Sequence, residues 1–175
     1  MKRALLLFSA FLAIAASPMV RAETTEPLTD QHIAAIRVGC VDALQGMLQI
    51  QRTEAATRVN RGREYESLLK LVAAFNSRIV INKLDAPALT GTASRMQERF
   101  SQFQRHYLDY ADKMDATLDI NCKEAPVTFY DSLTETREAR AQVATDVIEI
   151  DKLLQEYQAG LDKLKDELKK AEAQS

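Results

Sequence analysis

The sequence contains few residues that break helices. Only five glycines and four prolines occur among 175 residues. Strand signals are almost absent too, since the one short β-branched run, Ile79-Val80-Ile81, ends a helical pattern and has no partner run. These absences exclude turn-rich β folds and alternating strand–helix folds, and we expect an all-α protein.

Groups that carry catalysis or bind metals are also scarce. The chain has two histidines, His32 and His106, on different predicted helices, and no tryptophan. It has no glycine loop for a phosphate and no calcium-binding loop. Because His106 adjoins a seam tyrosine, we expect it at a flanking surface position. Nothing in the pattern indicates a nucleophile–base pair, a metal site or a cofactor site, so we expect a protein that is not an enzyme.

The chain has two cysteines, Cys40 and Cys122. In an exported protein an even pair predicts a disulfide, because the compartment is oxidising. Two free thiols and a bridge between chains are the alternatives. No Cys-x-x-Cys spacing or histidine cluster accompanies the pair, which argues against a metal site.

The first 22 residues have the composition of a secretory signal peptide. Lys2 and Arg3 precede an apolar run over 4–16, and a small residue, Ala22, closes the segment. The run is too short to cross a bilayer core, which needs about 20 residues. We therefore expect cleavage near Ala22 and export to the periplasm or the extracellular space, with an uncleaved anchor as the alternative.

The remaining chain predicts one acidic domain. Losing the three basic residues of 1–22 leaves 20 basic and 25 acidic residues, a net charge near −5. This charge gives no reason to expect nucleic-acid binding. The rest of the chain has no second apolar run long enough to cross a membrane, so we expect no membrane-spanning helix after residue 22. We assign 23–29 to a short arm and 30–173 to a single helical domain.

Apolar periodicity and two prolines divide this domain into three long helices, over about 30–83, 87–120 and 126–173. Apolar residues keep three–four spacing in each, and the second and third follow a heptad pattern. In the third helix only Thr136 and Arg140 interrupt it. In the first, 51–64 is polar. Short connections favour antiparallel neighbours, so we predict an elongated antiparallel three-helix bundle with coiled-coil heptads.

Two charge clusters lie on the first two helices. Folding the first hairpin about its loop centre makes paired residue numbers sum to about 171, which brings the two clusters to one level. We interpret them as electrostatics that set the register, with partner binding and solvated faces as the alternatives. The basic cluster is Arg52, Arg58, Arg61 and Arg63, and the acidic cluster is Asp109, Asp112, Asp115 and Asp119.

The same hairpin geometry conflicts with the disulfide. It places residue 122 opposite about residue 49, which is roughly 13 Å along the helix from Cys40. Bridged Cα atoms lie within about 7 Å of each other. The disulfide therefore requires a bend in the first helix near Gly46 or a loop that carries Cys122 toward Cys40.

The end of the third helix is a candidate interaction surface. Folding the second hairpin places Pro87 level with Gly160, so the residues after Gly160 are expected to overhang the bundle by about 20 Å. Leu161, Leu164 and Leu168 continue the apolar seam there without a partner. We expect them to mediate self-association or to bind another protein, and a frayed or bent tail is the alternative.

Export, heptads and the lack of a chemical site favour a non-enzymatic protein of the cell envelope or extracellular space that acts through protein–protein contacts, as scaffolds and adhesins do. A protein partner and a homo-oligomer both fit this interpretation. The alternative is a periplasmic holdase-like chaperone, whose general architecture is similar. A small-ligand carrier or an enzyme comes third.

Overall fold

A computed structural model describes residues 28–173 as three helices. They are α1 (Asp30–Ile81), α2 (Pro87–Leu118) and α3 (Pro126–Glu172), and no strand occurs within that range. The all-α prediction and the positions of the three helices are thereby confirmed. The predicted signal peptide, 1–22, and most of the predicted arm, 23–29, lie outside the described residues.

The helix starts follow from local chemistry. At the start of α1, the Thr29 hydroxyl accepts a hydrogen bond from the His32 backbone, and His32 Nδ1 accepts one from the Thr29 backbone. Together these bonds satisfy two amides that the first helical turn leaves unpaired. Pro87 and Pro126 open α2 and α3, where the missing proline amide costs no hydrogen bond.

The end of α1 is a Schellman motif built on a lysine. Lys83 has a φ of 54°, in the left-handed region. The Leu84 amide donates to the Ile79 carbonyl, and the Lys83 amide donates to the Val80 carbonyl. Leu84 then packs in the same core as Ile79, as this motif usually requires. The chain therefore turns back on α1 before α2 begins.

This turn sets the register of α1 against α2. Tyr65 faces Phe100 and Arg58 faces Tyr107, so paired residue numbers sum to 165 in an antiparallel pair. The sum of about 171 from the sequence is therefore wrong by some six residues. The loop-centre estimate assumed a symmetric connection, whereas the Schellman turn folds the chain back by more than one helical turn.

The shifted register removes most of the conflict over the disulfide. Cys40 and Cys122 are bridged, with their Cα atoms 5.6 Å apart and a sequence separation of 82. This confirms the predicted pairing within one chain. α1 remains one continuous helix through Gly46, so an interruption of the helix there is not what brings the cysteines together.

The core is divided along the length of the bundle into three clusters. At the disulfide end, the two cysteines pack with Met47, Met114 and Phe129. At the turn end, α1 and α3 pack around Leu89 of α2. The central cluster is smaller and consists of Tyr65, Phe100, Phe103 and Ile150.

The heptad positions predicted for α2 do face this core. Six of the eight predicted positions are buried, and the other two, Ala93 and Tyr107, are half-buried. The buried six are Leu89, Met96, Phe100, Phe103, Tyr110 and Met114. Gly160 of α3 lies so close to α2 that an added Cβ would be 2.6 Å from Leu89 Cδ2, close to the predicted level match of Pro87 with Gly160. The burial of these α2 residues supports the predicted three–four spacing of apolar positions, whereas supercoiling of the helices remains a prediction.

One helix of the described residues, α1, is long and apolar enough by length and composition to cross a membrane. Its inner face nevertheless packs on α2 and α3 and carries the disulfide. The sequence-based expectation that no helix after residue 22 spans a membrane therefore remains a prediction.

Candidate functional site

The three helices leave a cleft at the middle of the bundle, called here the central cleft. No α1 side chain between Met47 and Tyr65 is buried, although α2 and α3 bury residues at the same level. The cleft has a volume of about 610 Å³. The polar stretch 51–64 explains it, because α1 has no large apolar side chain there to fill the space.

Aromatic rings form the floor of the central cleft. Phe103, Tyr107 and Tyr110 follow one another along α2, with adjacent ring centroids 6.3 and 5.9 Å apart. Val143, Val147 and Ile148 of α3 line the opposite side. Phe103 and Tyr110 are buried, and Tyr107 is half-buried, so the floor is open to solvent mainly at Tyr107.

Arginines surround this floor. Arg58 and Arg61 come from α1, and Arg137 and Arg140 come from α3. The Arg58 guanidinium carbon lies 4.9 Å from the Tyr107 ring centroid, a cation–π geometry. Burial raises the pKa of the Tyr107 hydroxyl, an effect that the charge of Arg58 partly opposes. Four cations therefore converge from two helices on one apolar surface.

Glu54 is the one carboxylate among the residues that line the central cleft. Arg140 Nε donates to it over 2.8 Å, and the Tyr110 hydroxyl donates to its other oxygen. Burial, followed by the hydrogen bond to Glu54, raises the pKa of Tyr110 far above its usual value. Glu54 thereby neutralises Arg140, while no carboxylate of the described residues lies within 4.0 Å of Arg58, Arg61 or Arg137.

Arg140 and the polar part of α1 were the sequence signals for this site. Arg140 interrupts the α3 heptad because its side chain reaches across to Glu54 on α1. Thr136, the other interruption, lies in a buried hydroxyl cluster, where its hydroxyl is 2.8 Å from that of Thr117. Both interruptions mark real polar contacts between helices, which the apolar spacing alone does not reveal.

The arginine cluster and the aspartate cluster do not pair in the way that the register predicted from the sequence suggested. Within residues 28–173, no ion pair joins the arginine cluster to the aspartate cluster. Asp115 accepts a hydrogen bond from Gln51, and Asp109 pairs with Lys113 on its own helix, 3.6 Å away. Arg58 and Arg61 line the central cleft, Arg52 lines a neighbouring groove between α1 and α2, and Arg63 is exposed. A role of these charges in setting the register remains a prediction.

A buried charge network lies beside the cleft on the α2–α3 side. Asp146 is fully buried, its side chain 0% exposed. His106 Nδ1 is 2.6 Å from one of its oxygens, and an Arg99 nitrogen is 3.4 Å from the other. His106 is half-exposed, in keeping with the expected flanking position, but the sequence did not predict its contact with the buried Asp146. No signal in the sequence separated Asp146 from other helical carboxylates.

A second, mostly apolar row of exposed positions runs along α1 and is called here the outer stripe. Two of its members, Arg52 and Ala55, lie at the edge of the stripe and also line a groove between α1 and α2. The positions of the stripe alternate steps of four and three, like a heptad seam, and all of them are exposed. The large apolar members are 39–87% exposed. Two apolar faces on one helix also explain why α1 is apolar enough for a membrane. The outer stripe consists of Ala34, Val38, Val41, Gln45, Leu48, Arg52, Ala55 and Val59.

The end of α3 packs against the rest of the bundle more than the sequence predicted. Leu161 and Leu164 are half-buried and pack on the turn-end cluster, because the corrected register brings the end of α1 up to their level. The expected unpartnered overhang is therefore wrong for these two leucines. Leu168 is 40% exposed at the rim of a groove between α3 and the end of α1. An interaction through Leu168 remains a prediction.

A search of the described residues for a metal site and comparisons of the chain with known proteins both gave no match. Within the described range, no group of three histidine, cysteine or acidic side chains is placed to hold a metal ion. No protein-family model, curated protein or solved structure matches the chain.

Proposed function

We propose that the protein is an exported, non-enzymatic helical protein that binds another protein in the cell envelope or extracellular space through the outer stripe of α1. The observation that carries this proposal is the exposure of the whole stripe. Val38, Val41, Leu48 and Val59 are 39–87% exposed, although their spacing is that of a packing seam. Exposed rows of this kind are costly in water unless a partner covers them.

The spacing fits a helix as the partner element. Alternating steps of four and three keep one face in contact with a second helix over many turns. From 34 to 59 the stripe is roughly 38 Å long at 1.5 Å per residue. Arg52 lies within the stripe and has no carboxylate within 4.0 Å among the described residues, so a helix with an acidic residue at that level is favoured.

Export belongs to the same proposal. It is supported by the composition of 1–22 and by the Cys40–Cys122 bridge, since disulfides persist in oxidising compartments. Mass measurement of protein recovered after expression with its native N-terminus is the test. We expect a mature chain that begins at Glu23. A retained N-terminal segment would contradict cleavage and favour the uncleaved anchor, whereas two alkylatable thiols would contradict export.

Photo-crosslinking tests the partner surface. A photoreactive residue at Val41 should give one discrete adduct in the producing cells, and the crosslinked peptide should carry apolar residues at three–four spacing. Leu48→Glu in the same chain should abolish the adduct by placing a charge in the seam. An adduct of twice the chain's mass identifies the partner as a second copy.

Leu108 on α2 supplies the matched control, since it is 55% exposed and outside the stripe. A photoreactive residue there should give no such adduct, and Leu108→Glu should leave the Val41 adduct intact. Equal labelling from Val41 and Leu108 would overturn the proposal.

A holdase-like chaperone is the alternative function, because exposed apolar rows can also bind unfolded chains. Light scattering of an aggregating client separates the two. A scaffold should leave aggregation unchanged at a stoichiometric ratio, whereas a holdase should suppress it, and Leu48→Glu should then weaken the suppression.

A further inference from the structure

We propose that the central cleft binds a small amphipathic organic anion, with one carboxylate-like group on an aromatic or aliphatic body. This inference is separate from the proposed function, because it concerns the inner side of α1 rather than the outer stripe.

The size of the central cleft selects a small molecule. A volume of about 610 Å³ lies within the usual range for ligand sites. Toward the turn end the cleft is bounded by Tyr65 and Phe100, and toward the disulfide end it narrows into a smaller cavity of about 250 Å³ beside Met47 and Met114. The α1 residues that line the cleft span only Glu54 to Arg61, about 11 Å of helix, a length that matches a small molecule rather than a long partner helix.

The floor selects an apolar body. Tyr107 is half-buried and presents ring surface to the cleft, Phe103 packs behind it in the core, and Val143 and Val147 line the α3 side. A flat aromatic or short aliphatic group placed between these walls would remove apolar surface from water on both sides.

The rim selects a negative charge. Of the four arginines, Arg140 is neutralised by Glu54, and no carboxylate of residues 28–173 pairs with the other three. Arg58 is held over the Tyr107 ring, which fixes its guanidinium at the edge of the apolar floor. Arg137 approaches the same cleft from α3. Two guanidiniums without a carboxylate partner, on facing helices, can together bind an oxyanion in a charge-assisted, bidentate manner.

A pair of matched probes tests both parts of the proposal. Naphthoate supplies the anion and the aromatic body, and naphthamide has the same shape without the charge. Calorimetric titration should show naphthoate binding at one site per chain, with naphthamide at least about tenfold weaker because the ionic hydrogen bonds are lost. Equal affinity of the two probes, or no binding of naphthoate, would overturn the proposal.

Variants assign the binding to the cleft. Arg137→Gln should weaken naphthoate binding about tenfold and leave naphthamide unchanged, since one charge-assisted contact is removed. Arg58→Gln should do the same, provided that circular dichroism shows a folded chain. Arg63→Gln is the matched control, because Arg63 is an exposed arginine of α1 outside the cleft, and its affinity for naphthoate should be unchanged. An equal loss in Arg63→Gln would show non-specific charge attraction and refute the site.

A steric variant separates shape from charge. Ala144 is an exposed residue of α3 that lines the cleft, so Ala144→Trp can fill the space without disturbing a buried core. Binding of both probes should be lost in this variant. Undiminished naphthoate binding by a folded Ala144→Trp chain would place the anion elsewhere and overturn the assignment.

Discussion

The ends of this bundle and its middle are built differently. At the disulfide end and the turn end, side chains from all three helices meet in buried clusters. In the middle, α2 and α3 still pack on each other, but α1 buries no residue over 51–64 and contributes mainly polar side chains there. The ends therefore hold α1 in place, and the middle is left open for contacts that folding does not use.

This division teaches that a polar interval in a long helix need not be a break. α1 stays continuous from Asp30 to Ile81 although its central part buries nothing. Attachment at both ends is sufficient, because each end supplies a buried cluster and one of them also supplies a covalent bond. The comparison predicts that substitutions at the ends cost stability, and that matched substitutions in the middle cost little.

The largest effect should come from the disulfide. The double variant Cys40→Ser/Cys122→Ser should lower the free energy of unfolding by about 4 kcal/mol, because a loop of 82 residues is no longer closed in the unfolded chain. Urea unfolding measures this. Reductant should change the wild type but not the double variant. A loss below about 1 kcal/mol would mean that the disulfide end is held mainly by its packing.

The next largest effect contrasts an end with the middle. Leu89→Ala, in the turn-end cluster, should cost about 3 kcal/mol, because Leu89 is buried against Gly160 and leaves a cavity. Val147→Ala, which lines the central cleft, should cost less than about 1 kcal/mol, since its surroundings are already open. Thermal and urea unfolding of both variants check this. Equal losses would show that the middle is as tightly packed as the ends.

A smaller effect should come from the charge network between α2 and α3. Asp146→Asn should cost about 2 kcal/mol, because His106 and Arg99 lose the buried anion to which they are paired. Glu149→Gln is the control, since Glu149 makes an exposed pair with the same arginine and should cost no more than about 0.5 kcal/mol. Similar losses in the two variants would mean that Asp146 contributes only as a surface charge.

The smallest effect should be a gain in stability at the turn end. Lys83→Gly should stabilise the protein by about 0.5 kcal/mol, because glycine takes a positive φ without the cost that lysine bears, offset in part by the freer unfolded chain. Asn82→Gly should instead destabilise, since Asn82 has a negative φ and its side chain caps the Arg78 carbonyl. A loss of stability in Lys83→Gly would contradict the strain assigned to this turn.

Much of this architecture was predictable from the sequence. The apolar spacing, Pro87 and Pro126 gave the three helices to within a few residues of their ends, because helix starts and amphipathic faces depend on local chemistry. Cys40 and Cys122 were predicted to pair since no other cysteine competes. Arg140 and the polar stretch 51–64 were visible signals of the central cleft, although their meaning required knowing which residues face each other.

Only the tertiary structure decided how the helices are set against one another and which charges meet. A lysine at the left-handed position of the first turn shifted the hairpin by six residues, and the shift placed Leu161 and Leu164 against α1 and turned Arg58 toward Tyr107. Likewise, the burial of Asp146 under His106 depends on the α2–α3 register. Sequence periodicity fixes which face of a helix is apolar, but the relative level of two helices is set by turn geometry and by packing between distant residues.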